Sequence, residues 1–165
     1  MPDSARRLII LAEGHFGPHD GKTAMGVIRF GQDPIVALID STNAGRNVRE
    51  WFDERPRFDI PIVANLAEAL ALGPSRGVPT ALLIGIAPTG GKLPGPWRQT
   101  ILDSIAAGLD VLSGLHTLIG DDQEFQSAAG QAGVEIVDYR RAPQREETAT
   151  GRAHGPGKRV ILTVG

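Results

Sequence analysis

The sequence predicts an α/β domain built on a mostly parallel sheet. Three observations carry that expectation. The apolar runs are short and rich in branched aliphatic residues, helical patterns alternate with them, and Gly-rich polar segments follow most of them. A near-continuous apolar run marks a strand buried on both faces, as in parallel sheets. Strands alternating with helices then imply right-handed crossovers and helices layered over the sheet.

The first strand is expected over Arg7–Ala12. A helix follows over Lys22–Phe30, ahead of Gly31, and a second strand over Pro34–Asp40. Asn47–Phe52 reads as a short helix. Ile60–Ala64 is a weaker strand because Pro61 lies inside it and removes a ladder donor. Asn65 precedes Leu66 with Glu68 three residues on, which suits a capped helix, and Gly73 and Pro74 are expected to end it. Thr80–Ile86 is the fourth strand. Pro94 and Pro96 introduce a helix in which Trp97, Ile101 and Ile105 form one buried stripe, closed by Gly108. Leu109–Ser113 is the fifth strand. Asp121 is expected to cap a helix, with Glu124 at the third position, that runs to about Gly133. Val134–Tyr139 is the sixth strand and Arg159–Val164 a seventh. Together these define a Rossmann-like three-layer sandwich over residues 1–139.

Composition bounds the function. The 165 residues suit one domain, with 41% hydrophobic and 22% charged residues, so a core forms without staples. A net charge of −2 lacks the basic excess of a nucleic-acid binder. No apolar run is long enough to span a membrane. With no cysteine, disulfides, thiolate nucleophiles and cysteine–zinc sites are excluded. The apolar run after MPDSARR is too short for a secretory signal, so a cytoplasmic location is expected. Gly and Pro number 21 and 12, while aromatic residues make up 5%, which describes tight turns around an aliphatic core.

Residues 140–158 change texture. RRAPQREETATGRAHGPGK is polar and almost free of large apolar residues, and reads as a linker in which His154, Glu146 and Glu147 are solvated. RVILTVG over 159–165 then looks like the first strand of a further, truncated domain.

In an open α/β sheet, ligands bind beyond the carboxyl ends of the strands, at a topological switch point. Four loops are therefore candidates. The first, EGHFGPHDGKTAMG, holds Gly14, Gly17, Lys22 and Thr23. It lacks G-x-G-x-x-G, and its G-x-x-x-G-K-T is one residue short of a P-loop. It reads as an anion site at a helix start, or as a tight turn with a solvated lysine. After the second strand, Asp40 could meet a ribose hydroxyl, or Asp40 or Ser41 could cap the next helix; Thr42 and Arg46 lie beside them. After the fourth strand, Pro88, Gly90, Gly91 and Lys92 suit close approach to an acidic ligand, or an ordinary loop with an exposed lysine. After the fifth, Ser113 and Gly114 precede His116, a general-base candidate because imidazole titrates near neutral pH. Alone, such a histidine is more often a loop residue making one hydrogen bond. His15 and His19 are four apart in a Gly/Pro loop without a matching ligand set, so no metal is expected.

The blocks AEGHFGPHDGKTAMGVIRF, ALIDSTNAGR, PIVANLAEALALG, IGIAPTGGKLP, WRQTILDSIAAGLDVLSGLH and GDD resemble the N-terminal Rossmann-like domain of the D-glutamate N-acetyltransferase-like family. The terminal RVILTVG is similar to the strand that leads there into a C-terminal P-loop NTPase-like domain. The resemblance implies transfer of an acetyl group from acetyl-CoA, as co-substrate, to the amino group of D-glutamate. It also implies that the missing C-terminal domain is a partner in the site. His116 would be the base, Lys22, Arg46 and Lys92 would hold carboxylates or CoA phosphates, and the N–H groups of Gly90 and Gly91 would face the oxyanion. Two other readings stand beside it. One is a non-catalytic nucleotide- or CoA-binding regulatory domain. The other is an NAD-dependent oxidoreductase, which the absent glycine fingerprint disfavours. A homo-oligomer is compatible with each.

Overall fold

A computed structural model describes residues 6–17, 19–52, 58–86, 90–141 and Gly157. The linker beyond Arg141 and the expected seventh strand lie outside the described residues, Gly157 aside, as does Pro88.

Six strands form one sheet: β1 Leu8–Leu11, β2 Ile35–Ile39, β3 Ile62–Val63, β4 Ala81–Ile84, β5 Asp110–Ser113 and β6 Ile136–Asp138. Their spatial order is β3-β2-β1-β4-β5-β6, and every neighbouring pair is parallel. This is the strand order of dinucleotide-binding domains, and the fold is Rossmann-like α/β. The central strands carry the apolar signal seen in the sequence. All of β1 and β4 is buried, as is β2 beyond Ile35. Pro61 confines β3 to two residues, which pair with Leu38 and Ile39.

Crossover handedness places the helices. α1 (Lys22–Phe30) carries the chain from β1 to β2 in one direction along the sheet. α4 (Trp97–Ala106) and α5 (Gln123–Ala132) carry it from β4 to β5 to β6 in the other. Right-handed crossovers therefore put α1 on one face and α4 and α5 on the opposite one. α2 (Leu66–Ala71) returns the chain from β3 towards β4 and packs beside α4. Trp97, Ile101 and Ile105 are the buried stripe of α4, at 4%, 0% and 1% exposure, and form core rather than a ligand box. Gly85 sets the closeness of α1: a Cβ there would lie 2.5 Å from Ile10 Cγ2 and 3.0 Å from Ala24 Cβ.

Local signals fixed most helix ends. Asn65 accepts from the Glu68 N–H, and the Glu68 carboxylate accepts from the Ala64 N–H. Asn47 and Glu50 make a reciprocal capping box on the 3-10 turn Val48–Trp51. One expectation is extended and one corrected. α2 does end ahead of Gly73 and Pro74, but these residues open one more turn, α3 (Gly73–Arg76), which stops at Gly77 with φ of 94°. Proline at the first turn costs no hydrogen bond, so it permits this restart. The cap of α5 is Asp122, not Asp121: its carboxylate accepts from the N–H groups of Glu124 and Phe125. Asp121 ends a preceding 3-10 turn, Ile119–Asp121, and pairs with Arg141 at 2.6 Å.

Candidate functional site

The chain leaves β1 towards one face and β4 towards the other, so a crevice opens between their carboxyl ends. The loop after β1 is folded tightly on itself. The Gly21 N–H donates to Gly17 O at 3.1 Å, and the His15 N–H to Ala12 O at 2.8 Å. A Cβ on Gly21 would come within 2.8 Å of Gly17 N and O and 3.0 Å of His15 O. Gly14, with φ of 68°, turns the chain at the start of the loop. α1 follows with Lys22 exposed and Thr23 half-buried. The Ala24 N–H is taken by Gly85 O at 2.8 Å. The N–H groups of Lys22 and Thr23, and the Lys22 ammonium, have no partner among the described residues.

Asp40 is fully buried at the end of β2. Its carboxylate accepts from Gly14 N–H at 3.1 Å, Thr42 N–H at 3.1 Å, Thr42 Oγ1 at 2.6 Å and Asn43 Nδ2 at 2.8 Å. Oδ1 takes three of these donors and Oδ2 one, and the fully buried group is committed to its own loops rather than presented to a ribose hydroxyl. Burial pushes its pKa up, but the Thr42 and Asn43 side chains and the two N–H donors outweigh this and hold it below the ordinary carboxylate range. The capping alternative is the arrangement observed.

Beside it, Glu13 receives the Ser41 N–H at 2.8 Å and the Ser41 hydroxyl, and so clips the loop after β1 to the loop after β2. Sequence reasoning missed Glu13. Its signal was an acidic residue placed directly after the first strand, beside a glycine. Arg46 is turned away from ligand duty: it pairs with Glu50 at 2.8 Å, donates to Asn43 Oδ1 and stacks on Trp51 at 4.2 Å.

On the other side of the crevice, the loops after β4 and β5 meet. Gly90 and Gly91 have φ of 82° and 64°. Gly91 O accepts from Thr117 N–H at 3.2 Å. The His116 ring lies on Gly91, where a Cβ would stand 2.4 Å from His116 Cδ2. Only glycine admits that contact. Among the described residues His116 has no hydrogen-bond partner. Ser113 is buried, its hydroxyl accepting from Leu115 N–H at 3.2 Å. Gly114 O receives Arg140 Nε at 2.7 Å, which brings a cation from the start of the expected linker to this edge.

A cavity of about 350 Å³ opens beside these loops, with Lys92 at its rim and Leu118, Ile119 and Phe125 in its wall. Arg98 closes one side, bidentate to Asp122 at 2.7 and 2.8 Å and bound to Glu124 at 2.6 Å, with its guanidinium over Phe125. Arg98 holds the Asp122 carboxyl down at about 2, against the cost of its burial. A larger cavity of about 620 Å³ lies at the amino-terminal end of the sheet, between the end of α1 and the start of β2. Its Arg76 and Asp59 are paired with each other at 2.9 Å.

Across the switch point, His15 meets both sides. Its Nδ1 stands 3.4 Å from Asp20 Oδ2, and its ring is edge-on to Trp97 with centroids 6.1 Å apart. The sequence had weighed His15 only as a metal ligand.

A parallel sheet in this order, with polar loops converging at the reversal of strand order, defines a Rossmann-like α/β domain. The chain belongs to the family described as a domain of unknown function, DUF1611_N, a Rossmann-like domain, which matches residues 41–142. It is similar to a protein of Tritonibacter scottomollicae named D-glutamate N-acetyltransferase, with 33% identity over 140 residues, 85% of this chain and 37% of that protein. It is also similar to the crystal structure of a DUF1611 family protein from Anabaena variabilis. There the TM-score is 0.77 and the identity 32%, over 90% of this chain and 41% of that one. The chain thus spans about two fifths of the length of these relatives.

Proposed function

We propose that this domain forms part of a D-glutamate N-acetyltransferase, a protein that moves an acetyl group from acetyl-CoA to the amino group of D-glutamate. The observation that carries the proposal is the similarity to a protein of that name over 85% of this chain. The crevice supports it chemically. Acyl transfer to an amine needs cations for the carboxylates, a base for the ammonium proton and donors for the oxyanion. Lys22 and Lys92 are exposed and unpaired among the described residues, so they serve for carboxylates or CoA phosphates. The N–H groups of Gly90 and Gly91 have no acceptor among the described residues and suit an oxyanion. Imidazole groups stand on both sides of the crevice, His15 on the loop after β1 and His116 on the loop after β5. The buried carboxylate of Asp40, bonded within its own loops, weighs against a nicotinamide dinucleotide.

A second reading has one observation in its favour. Because the chain spans 37% of the named relative, the chemistry can belong to the remainder, with this domain binding CoA or a nucleotide in a regulatory role. In either case a cytoplasmic location and a small-molecule ligand are proposed. No helix among the described residues is long and apolar enough to cross a membrane. The test is thiol release from acetyl-CoA by the native protein with D-glutamate, L-glutamate or no acceptor. Release that requires D-glutamate is expected. No release with any acceptor, from folded protein, overturns the transferase in favour of the regulatory reading.

A further inference from the structure

His116 is the histidine that the sequence singled out, yet the described structure gives it no carboxylate to orient it or to stabilise its protonated form. His15 has both kinds of support. Asp20 Oδ2 faces its Nδ1 at 3.4 Å. A carboxylate there makes Nδ1 the protonated nitrogen and leaves the Nε2 lone pair for a ligand. No described group hydrogen-bonds to Nε2. Trp97, the first residue of α4, stands edge-on to the ring, so the imidazole is held from the β1 side and the β4 side of the switch point together. The backbone beneath is fixed as well, through the His15 N–H to Ala12 O and through Gly21, whose missing Cβ lets the loop close against His15 O. The side chains of His15 and Asp20 are 38% and 52% exposed, so the pair is open to solvent.

We propose that His15, oriented by Asp20, is the general base of this site; the proposal rests on the acyl-transfer reading above. Nε2 of His15 takes one proton from the acceptor ammonium. The freed amine lone pair forms the C–N bond to the thioester carbonyl carbon, and the carbonyl electron pair moves to oxygen. On collapse the C–S bond breaks with its pair going to sulfur, and the nitrogen sheds its second proton. The CoA thiolate takes up one proton, so the reaction releases the amide, the free thiol and one net proton. Asp20 keeps its carboxylate throughout and steadies the imidazolium.

The test pairs kinetics with a spectroscopic readout in the native protein. His15→Gln is expected to lower kcat by about 10²- to 10⁴-fold, the range for loss of a general base, with KM for D-glutamate changed by less than about threefold. His116→Gln is expected to lower kcat at least about tenfold less than His15→Gln does, and to leave the His15 tautomer unchanged. Long-range ¹H–¹⁵N correlation of the imidazole should show His15 as the Nδ1–H tautomer, and Asp20→Asn should abolish that preference while the fold persists. A large kcat loss confined to His116→Gln overturns the dyad and leaves the transferase standing. So does an Nε2–H tautomer at His15 in the wild type. Absence of thiol release by the wild type overturns both.

Discussion

Asp40→Ala should show how much of the crevice depends on one buried carboxylate. The side chain is fully buried and accepts four hydrogen bonds, two from backbone N–H groups and two from side chains. Thr42 is exposed and Asn43 half-buried, so their side chains recover water when the carboxylate is removed. The N–H groups of Gly14 and Thr42 lose a charged acceptor in a part-buried setting, at about 1–3 kcal/mol each. A loss of about 2–6 kcal/mol is therefore expected, out of a typical total of about 5–15 kcal/mol. Asp40→Asn separates charge from shape. Its amide oxygen can keep the three donors now on Oδ1, but its NH₂ then faces the Asn43 NH₂. Turning the Asn43 amide over would break its bond to Arg46 at 3.0 Å. A loss of about 1–2 kcal/mol is expected, close to one hydrogen bond with its charge assistance.

The acid limb gives a second signature. The folded pKa of Asp40 lies below its unfolded value. Its contribution is thus complete above the unfolded value of about 3.9, and is lost as pH falls through the lower folded pKa. Urea midpoints at pH 7 and across the acid range measure both effects. Asp40→Ala within about 0.5 kcal/mol of wild type would refute the reasoning, since a surface change has effects of that size. Parallel acid limbs for wild type and Asp40→Asn would refute it independently.

Gly85→Ala should destabilise by about 1–3 kcal/mol, because the new methyl would stand 2.5 Å from the buried Ile10 side chain and 3.0 Å from Ala24; an unchanged Tm would show that α1 can move off the sheet freely. Arg98→Ala should flatten the acid dependence of stability. Arg98 is the main cause of the low Asp122 pKa of about 2. The Asp122 contribution is present above the unfolded value and lost as pH falls towards 2, so removing Arg98 should shrink that loss in urea titrations between about pH 4 and 2. The same variant should open the wall of the 350 Å³ cavity over Phe125, read as increased quenching or dye binding there.

The legible parts of the site were those carried by residue type at a strand end. Lys22 at the start of α1, and Gly91, Lys92 and His116 on carboxyl-end loops, stand where the alternation of strands and helices put them. Pro88 lies outside the described residues. Asp40 was seen as a choice between ligand and cap, and three-dimensional donors decided it, one of them Gly14 from another loop. Glu13 and Asp20 went unread because their partners, Ser41 and His15, matter only once loops fold against each other.

The sequence by itself determined that the chain makes a parallel α/β layer. Burial on both faces demands continuous apolar strands, and that demand is written in consecutive residues such as Leu8–Leu11 and Ala81–Ile84. It also determined most helix ends, since caps act over three or four residues. Strand order was decided only by the tertiary structure, because neighbours such as β1 and β4 pair across some seventy residues with no local signal. That order places the crevice, and with it the meeting of His15 and Trp97. The roles of Arg46 and Arg98 were likewise settled there, because a guanidinium takes its function from the carboxylates and rings around it.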